Sequence, residues 1–276
     1  MDPVNLPSHL ACTRLEAGIL EVRMNRPERL NALNPGLIGE LITVFRGLQQ
    51  DRQTRVVIFT GAGKGFCAGA DLQEFVAPGG IPGTTGMSQL GFVYKFQEYL
   101  SELMLAIHEC DKPVIAAVNG AAVGGGLGLA LASDIRIASE AAKFGAVAIK
   151  TGLSAADVGT SYILPRLVGA GIAAELMLSG RIFQAEEARD LRLVSRVVAP
   201  QDLDGAALVM ARAIAENAEY GVWMTKKTLW SNVVASSLRQ AMELENRTQV
   251  LGTFTGSMEA AMEAFAEGRK PRWKSL

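Results

Sequence analysis

Residues 119–128 read NGAAVGGGLG and form the most informative stretch of the chain. They follow KPVIAAV at 112–118, a short apolar run that begins near a proline and is typical of a buried strand. The apolar residues at 127–132 favour a helix. Three glycines between a strand and a helix leave backbone N–H groups unpaired at a helix start, where the helix dipole also favours negative charge. The stretch therefore predicts a turn that binds an anionic group.

The glycine spacing does not fit the two best-known phosphate sites. A dinucleotide-binding turn needs G-x-G-x-x-G, but the sixth position counted from Gly124 is Leu129. A P-loop needs G-x-x-x-x-G-K-[ST], whereas Lys64 lies inside GAGKG at 61–65 and no Ser or Thr follows it. The remaining anion is the oxyanion of a polarised carbonyl, which needs two converging donors. The alternative is that the glycines only allow a helix and a strand to pack closely.

A second glycine turn offers the second donor. RVVIFT at 55–60 is typical of a strand, and GAGKGFCAGADL at 61–72 follows it. Gly69 can form a sharp turn, after which the N–H of Ala70 could face a ligand. Two strand-to-helix turns with exposed amides are thus a plausible pair of donors.

Five motifs in order resemble the crotonase (enoyl-CoA hydratase/isomerase) superfamily. They are NRPERLNAL at 25–33, FCAGADL at 66–72, KPVIAAVNG at 112–120 with the glycine triplet, LPRLVG at 164–169 and FAEGRKP at 265–271. The resemblance implies an α/β fold with a crotonase-like core of repeated strand–strand–helix (ββα) units in a superhelix over 1–199. It also implies a C-terminal helical region over 200–276 that completes a homotrimer, or a hexamer formed by two trimers.

The resemblance implies an acyl-CoA thioester as substrate, so coenzyme A is part of the substrate and no separate cofactor or metal is expected. The family's oxyanion hole would fall on the backbone N–H groups of Ala70 and Gly125. Positions that contact coenzyme A would fall on Arg29, Leu30, Ala32, Ala68, Asp71, Leu72 and Lys270. Lys270, or Arg269 beside it, would reach the phosphates in its own subunit or in a neighbouring one.

The acid/base positions depart from the family pattern. Hydratases of the family carry two glutamates, and the matching positions here are Gly128 and Ala148. Addition of water to a double bond needs a base for the water and an acid for the carbon. Ordinary hydration is therefore disfavoured. Small residues at these positions and at Ala146 would leave room for a bulky acyl group.

Asp157 is the acid/base candidate that remains. Counted back from LPR at 164–166, it matches the functional aspartate of dienoyl-CoA isomerases and of some Δ3,Δ2-enoyl-CoA isomerases. It also matches the nucleophile of a chlorobenzoyl-CoA dehalogenase, but that enzyme needs a His where this chain has Ser101. We expect Asp157 to move a proton and so shift a double bond. The alternative is that Asp157 is the N-cap of the following helix.

Other reactive side chains lack recognisable partners. His108 lies on a predicted helix with no acid or nucleophile matched to it, and His9 lies in a proline-containing leader. Cys12, Cys67 and Cys110 lack the spacing of a zinc site or a disulfide framework.

Composition agrees with a soluble enzyme. The 276 residues are 49% hydrophobic, enough for one large core with an appended helical region. The net charge of −1 gives no electrostatic sign of a nucleic-acid or anionic membrane partner. No apolar run of about 18 residues occurs, and three unpatterned cysteines suit a reducing compartment. We expect a cytoplasmic location.

Strands and helices are predicted to alternate to about residue 198, with helices following. The predicted strands are 13–16, 19–24, 56–60, 114–118 and 135–138. The predicted helices are 35–50, 92–110, 203–217, 220–232, 238–251 and 257–267. The Gly/Pro-rich segment 77–86 is predicted to be a mobile loop that lines the acyl pocket, or else a plain surface insertion.

Three classes of function stay open. The first is an isomerase that uses Asp157, and the second is a hydratase or another lyase with atypical acid/base residues. The third is a non-catalytic or RNA-binding relative, which the near-neutral charge disfavours.

Overall fold

The computed structural model describes residues 9–71, 73, 74, 81 and 83–274. Its strands are β1 (Leu10–Glu16), β2 (Ile19–Met24), β3 (Val56–Gly61), β4 (Gly65–Cys67), β5 (Val114–Val118), β6 (Ala121–Val123), β7 (Ile135–Ser139), β8 (Lys143–Gly145), β9 (Phe183–Gln184) and β10 (Arg196–Val198). Its α-helices are α1 (Pro35–Gly47), α2 (Gln89–His108), α3 (Gly125–Ala132), α4 (Thr160–Val168), α5 (Ala170–Ser179), α6 (Ala185–Asp190), α7 (Leu203–Ala215), α8 (Glu219–Asn232), α9 (Leu238–Gly252) and α10 (Ser257–Ala266).

Each repeat divides its two strands between two sheets. The larger sheet has the order β1-β2-β3-β5-β7-β10, and its strands are parallel from β2 onward. The smaller sheet has the order β4-β6-β8-β9. Helices α2, α3 and α4 follow the strand pairs β3–β4, β5–β6 and β7–β8, as parallel neighbours require crossover connections. The predicted α/β class with repeated strand–strand–helix units is confirmed.

Two apolar cores cover the two faces of the larger sheet. Along β3, Val57 and Phe59 belong to the main core, whereas Val56 and Ile58 belong to a second core that α7 covers. This alternation follows from the two-residue period of a strand, and burial of both faces explains why β3 is apolar throughout. In the main core the ring of Phe59 packs edge-to-face against Phe45 and Phe66, with ring centroids 5.4 Å apart in both pairs. Full burial of each such side chain contributes about 2 to 3 kcal/mol.

The C-terminal helices α8, α9 and α10 are less buried than α7. The predicted boundary at residue 199 stays a prediction. Helix α7, which follows that residue, packs on the larger sheet. Helix α8 is attached by Lys226, whose ammonium lies 2.8 Å from Asp134 and donates to the Lys112 carbonyl at 3.0 Å. Helix α9 buries none of its residues.

Most predicted elements agree with the structure. Strands β2 and β5 begin and end at the predicted residues, whereas β1 begins three residues earlier than predicted. Helix α1 ends at Gly47 instead of residue 50. Helix α2 begins at Gln89 instead of residue 92, because the Ser88 hydroxyl accepts a hydrogen bond from the Gly91 N–H at 3.2 Å and so caps it. The three-residue strands β4, β6 and β8 are too short to show a period in the sequence.

The three cysteines are all free, with Cys12 exposed and Cys67 and Cys110 buried. Burial raises the pKa of the Cys67 thiol to about 12, so it stays protonated at neutral pH and is a poor nucleophile. None of the helices in the described ranges has the length and apolar character needed to cross a bilayer.

Candidate functional site

The three glycines before and within α3 have different roles. Gly124 adopts φ 54° and ψ −122°, a conformation that only glycine tolerates, and so turns the chain into the helix. Gly126 allows close packing, since a Cβ there would lie 2.0 Å from the carbonyl oxygen of Cys67. Gly125 is the first residue of α3, whose N–H has no partner within the helix. Close packing and an available donor are thus both present.

The turn that contains Gly69 lies directly against this helix start. Gly69 has φ +92°, and a Cβ there would lie 3.4 Å from the amide nitrogen of Gly125. A Cβ on Gly125 would in turn lie 3.9 Å from the amide nitrogen of Ala70. Among the described residues, neither the Ala70 nor the Gly125 N–H donates a hydrogen bond. The structure therefore brings the two predicted oxyanion donors together.

Residues 30–33 run parallel to residues 68–71. The Ala68 N–H donates to the Leu30 carbonyl at 3.0 Å, and the Leu33 N–H donates to the Gly69 carbonyl at 2.7 Å. The Asp71 N–H then donates to the Leu33 carbonyl at 2.9 Å, so the N–H of Ala70 between them stays outside this ladder. This pairing gathers the predicted coenzyme A positions 30, 32, 68 and 71 beside the oxyanion donors. Leu72 and residues 77–80 and 82 of the 77–86 segment lie outside the described residues.

Two asparagines hold the turn between β3 and β4. The Asn31 side chain donates to the carbonyls of Ala62 and Gly65 at 3.0 and 2.8 Å and is fully buried. The Asn119 side chain donates to the Gly63 carbonyl at 3.0 Å and accepts from the Gly61 N–H at 3.3 Å. These amides fix the backbone that leads to Ala70. The sequence reasoning did not assign them, although both stand inside the quoted motifs.

Asp71 forms a buried ion pair with Arg26. Their side chains are 5% and 7% exposed, and the closest N–O distance is 3.2 Å. Burial pushes the pKa of Asp71 up, but hydrogen bonds from the Gln73 N–H and Arg26, with the charge of Arg29 3.7 Å away, outweigh it and lower the pKa. Arg26 also donates to the Ala32 carbonyl at 2.6 Å. Asp71 thus organises the loop around Arg26 and Arg29.

Arg29 and Leu30 are the accessible members of this group. The Arg29 guanidinium donates to the Gln73 amide oxygen at 2.7 Å, and its side chain is 38% exposed. Leu30 is 41% exposed and has φ +49°, the left-handed region that is uncommon for a side chain with a branched Cγ. Arg29 and Leu30 thus place an accessible cation and an accessible apolar side chain beside the predicted oxyanion donors.

Asp157 is not the N-cap of α4. That position is Gly159, and no side chain caps the helix, although the Asp157 carbonyl accepts from the Thr160 N–H at 2.8 Å. The Asp157 carboxylate is half-buried and accepts a hydrogen bond from the side-chain amide of Gln97 on α2. Gln97 has no signal in the sequence, because its partner is 60 residues away.

The position of one missing glutamate is filled. A Cβ on Gly128 would lie 2.6 Å from Cγ2 of Val158 and 3.3 Å from the sulfur of Met104. The predicted room for a bulky acyl group is therefore wrong at Gly128, because neighbouring side chains occupy it. Ala148, at the other glutamate position, lies half-buried in a short 3-10 helix, Val147–Thr151.

Val158 has a strained backbone. Its φ is +43°, an outlier for a β-branched residue, and Gly159 follows at φ +79°. Such strain costs on the order of 1 to 3 kcal/mol and is found mostly at functional sites. Here it turns the chain so that the Val158 side chain contacts α3 while Asp157, the preceding residue, reaches α2.

Lys270 is not close to the other predicted residues within one chain. Its ammonium lies 2.9 Å from Glu216, one residue before Asn217, whose carbonyl accepts from Arg55 at the amino end of β3. Ala70 and the 61–65 turn lie beyond the carboxyl end of that strand. A contact of Lys270 with coenzyme A in a neighbouring subunit stays a prediction.

The two histidines lie away from Asp157. His108 is 11 residues along α2 from Gln97, about 16 Å at the rise of a helix. Burial lowers the pKa of its imidazole, which packs against Trp230 with ring centroids 4.6 Å apart. The His9 ring nitrogen Nδ1 lies 3.0 Å from the Glu40 carboxylate, and both side chains are half-buried. Within the described residues, no group of three or more His, Cys, Asp and Glu could hold a metal ion.

Comparisons with known proteins give a consistent match over the whole chain. Residues 14–276 match the family model described as enoyl-CoA hydratase/isomerase. The chain is 40% identical over 254 residues to a probable enoyl-CoA hydratase, echA12, of Mycobacterium bovis, with 92% of this chain and 88% of that one covered. It is 33% identical to the 1,2-epoxyphenylacetyl-CoA isomerase of Escherichia coli, covering 95% and 97%. The solved structure of a probable enoyl-CoA hydratase/isomerase from Mycobacterium abscessus has a TM-score of 0.90 at 38% identity, covering 97% and 99%.

Proposed function

Because the chain belongs to the enoyl-CoA hydratase/isomerase family, we propose that it moves a double bond in an acyl-CoA thioester and that Asp157 carries the proton. The observation that carries this proposal is the Asp157 carboxylate, which does not cap α4. The next residue, Val158, packs against an α3 that lacks the glutamate of a hydratase. The relatives have names of both kinds, hydratase and isomerase.

The reaction begins at the carbon next to the thioester. Asp157 removes a proton from C2 of a 3-enoyl thioester. The electrons of that C–H bond form the C1=C2 bond of a dienolate, and the carbonyl π electrons move to the thioester oxygen. The negative charge on the thioester oxygen is stabilised by the N–H groups of Ala70 and Gly125, and one such donor is worth about 100- to 1000-fold in rate. Asp157 then returns the proton to C4. The C3=C4 electrons form the new C4–H bond, the C1=C2 electrons form C2=C3, and the carbonyl re-forms from the oxyanion. The product is the conjugated 2-enoyl thioester, and no atom is gained or lost.

Hydration is the second candidate, because the echA12 relative is named a probable hydratase. A hydratase must hold a water molecule, remove a proton from it and protonate the acyl chain. Here Val158 and Met104 fill the space at Gly128, and the other family position holds Ala148. A single carboxylate suffices for a proton shuttle within one substrate, which favours isomerisation.

An absorbance assay separates the two reactions. Short, medium and long 3-enoyl-CoA and 2-enoyl-CoA esters are supplied to the wild type and to Asp157→Asn. Isomerisation raises the absorbance of the conjugated thioester, whereas hydration removes it. We expect Asp157→Asn to lower isomerisation by about 100- to 10,000-fold, the usual worth of an acid/base group, with Kd for the CoA ester unchanged. Asp190→Asn, at an exposed residue of α6, is the matched control.

Two outcomes would contradict the proposal. The first is an Asp157→Asn variant with wild-type isomerisation. The second is a wild type that hydrates 2-enoyl-CoA and leaves 3-enoyl-CoA unchanged, which would support the hydratase. A protein that binds CoA esters and turns over none of them would support the non-catalytic alternative.

The coenzyme A part of the substrate is proposed to lie on Arg29, Leu30, Ala32 and Ala68, with Asp71 holding the loop. Support comes from the exposed Arg29 and Leu30 beside the oxyanion donors. No separate cofactor is needed for this chemistry, since the proton stays on Asp157 between the two steps.

A homotrimer or a hexamer is the proposed assembly. Support comes from large apolar side chains that one chain leaves exposed, among them Leu178 at 77%, Leu238 at 77% and Phe265 at 90%. Light scattering coupled to size-exclusion chromatography measures the mass directly, and a 29.3 kDa species would contradict the assembly. The three free cysteines suit the reducing cytoplasm as the location.

A further inference from the structure

Gln97 is the side chain that holds the proposed base. Its amide Nε2 donates to Oδ1 of Asp157, which joins the first half of α2 to the loop before α4. Within the described residues, Oδ2 of Asp157 has no hydrogen-bond partner. Gln97 is exposed and Asp157 is half-buried, so the pair is accessible from solvent.

Helix α2 contacts the site at two points on one face. Met104 packs against Gly128, and Gln97 lies seven residues earlier, two helical turns away on the same side. The helix itself is fixed by buried residues between them, Leu100 and Leu103. The position of Gln97 is therefore set by the core and does not depend on Asp157.

The 157–158 loop is anchored at both of its residues. Val158 is held in a strained conformation by its contact with Gly128, three residues after Gly125. Asp157 is held by Gln97. A loop with φ above zero at Val158 needs such supports, because strained conformations persist only where the surroundings determine them.

We propose that Gln97 is a positioning residue that keeps Asp157 oriented through both halves of the proton transfer. A carboxylate only accepts hydrogen bonds, so Nε2 of Gln97 holds Asp157 before it takes the proton. Once protonated, the acid can donate to Oε1 of the same side chain after its amide rotates. A primary amide offers both a donor and an acceptor, whereas a cation or a second carboxylate offers only one. This inference rests on the proposed role of Asp157.

The charged groups around Gln97 are paired with other partners. On α2, Glu98 pairs with Lys95 at 2.6 Å, and Glu102 pairs with Arg46 of α1 at 2.6 Å. On α4, the Arg166 guanidinium lies 3.6 Å above the Tyr162 ring. Tyr94 and Ser101 line the same groove as Gln97. Gln97 is therefore the polar contact to Asp157 that a substitution can remove without removing a charge.

The test compares Gln97→Leu and Gln97→Glu with the wild type in the isomerase assay, with Glu98→Gln as the control on the same helix. Gln97→Leu should lower kcat about 10- to 100-fold, in the range that a displacement of about 1 Å costs, with KM little changed. Gln97→Glu keeps the length of the side chain but places a second carboxylate beside Asp157. It should move the acid limb of the pH–kcat/KM profile to higher pH, because like charges favour the protonated form. Glu98→Gln should change neither.

A double variant tests whether Gln97 acts through Asp157. Gln97→Leu combined with Asp157→Asn should be no slower than Asp157→Asn alone, since a positioning residue has nothing left to position. The inference would be overturned if the double variant lost the product of the two single-variant losses in kcat. It would also be overturned if both Gln97 variants had the kcat and pH profile of the wild type. If Asp157→Asn is inactive and Gln97→Leu is fully active, only the role of Gln97 fails. If Asp157→Asn keeps wild-type turnover, the proposed function fails first.

Discussion

The Val158 side chain occupies the place where any side chain at Gly128 would begin, with Cγ2 of Val158 2.6 Å from the position of that Cβ. The contact connects α3, whose first N–H is a proposed oxyanion donor, to the residue that follows the proposed base. The observed position of the loop at Asp157 and Val158 therefore depends on the absence of a side chain at Gly128. A larger residue at 128 and the observed loop cannot coexist unchanged.

Gly128→Ala should therefore lower turnover by moving the loop. The added methyl group must displace Val158, and a shift of about 1 Å at Asp157 costs about 100-fold in rate. We expect kcat for isomerisation to fall about 10- to 100-fold, while Kd for the CoA ester changes little. Stopped-flow or steady-state absorbance gives kcat, and calorimetry gives Kd.

Gly171→Ala on α5 is the control, because a Cβ there meets nothing within 4 Å. It should leave kcat unchanged and add up to about 1 kcal/mol of stability through helix propensity. Combining Gly128→Ala with Val158→Ala makes room for the methyl group and should restore part of kcat. A fully active Gly128→Ala single variant would show that the loop position does not matter.

Gly125→Ala should lower activity, whereas Gly126→Ala should lower stability. A Cβ on Gly125 meets a movable side chain, Leu33, at 3.0 Å and lies 3.9 Å from the Ala70 amide, so it enters the oxyanion space. The protein should fold, and kcat should fall on the order of 100-fold. A Cβ on Gly126 meets the Cys67 backbone oxygen at 2.0 Å, so this variant should lose stability. Thermal melts and kcat measured on both variants separate the cases, and equal melting temperatures would contradict the assignment.

The sequence predicts the parts of the site that depend on backbone turns. The glycines at 69 and 125 mark the two predicted donors, because each stands after a recognisable Val/Ile strand, and β2 and β5 are predicted to the residue for the same reason. Leu30 and Ala68 were placed by motif resemblance, and their hydrogen-bonded neighbourhood confirms that the motifs meet.

The remaining features depend on contacts between distant segments. No local pattern joins Gln97 to Asp157, because a helix face and a loop meet only after the sheets assemble. The filled space at Gly128 has the same origin, since Met104 and Val158 reach it from two other elements. The small residue at 128 predicts an empty pocket there, whereas tertiary packing fills the space.

Asp71→Asn should destabilise the loop around the site. It leaves the buried Arg26 without its buried partner, a change that typically costs about 3 to 5 kcal/mol, although Glu74 remains 2.8 Å away. We expect a loss near 3 kcal/mol by the scale of such pairs, measured by urea unfolding. Asp204→Asn, which removes an exposed partner of Arg23, should cost less than about 1 kcal/mol.

The same carboxylate makes stability fall in acid. The pKa of Asp71 is lowered in the folded protein, so its contribution is complete above the ordinary value of 3.8 and is lost as the pH falls through the lowered value. The difference in unfolding free energy between wild type and Asp71→Asn should shrink below pH 4. A constant difference down to pH 2.5 would contradict a charged Asp71.

His108 should make the attachment of α8 sensitive to mild acid. Burial lowers the pKa of its imidazole, opposed by the charge of Asp134 and assisted by that of Lys226, and the buried Nδ1 has no hydrogen-bond partner in the described part of the chain. The unfolded state, with the ordinary value of 6.5, binds a proton first. The free energy of unfolding therefore has its full value above pH 6.5. It declines as the pH falls toward the lowered pKa of His108 in the folded protein.

Urea unfolding between pH 8 and pH 5 measures this effect. One proton gives a slope of at most about 1.4 kcal/mol per pH unit, and His108→Gln should remove that part of the slope. His9→Gln, at the half-buried pair with Glu40, is the comparison and should keep that part of the slope. Identical slopes in the wild type and His108→Gln would mean that protonation of His108 is not coupled to folding.

Arg29→Gln should weaken binding of the coenzyme A part without changing the chemistry. The Arg29 guanidinium is accessible at the edge of the Leu30–Ala68 pairing and lies 3.7 Å from Asp71, so a phosphate there would meet a cation. Loss of that charge should raise Kd for a CoA ester about tenfold, equal to about 1.4 kcal/mol, and should flatten the dependence of Kd on salt. Arg189→Gln on α6, which removes a solvent-exposed cation paired with Glu186, should leave Kd and its salt dependence unchanged. An unchanged Kd in Arg29→Gln at low salt would remove Arg29 from the binding surface, while a fall in kcat alone would assign it to the reacting end of the substrate.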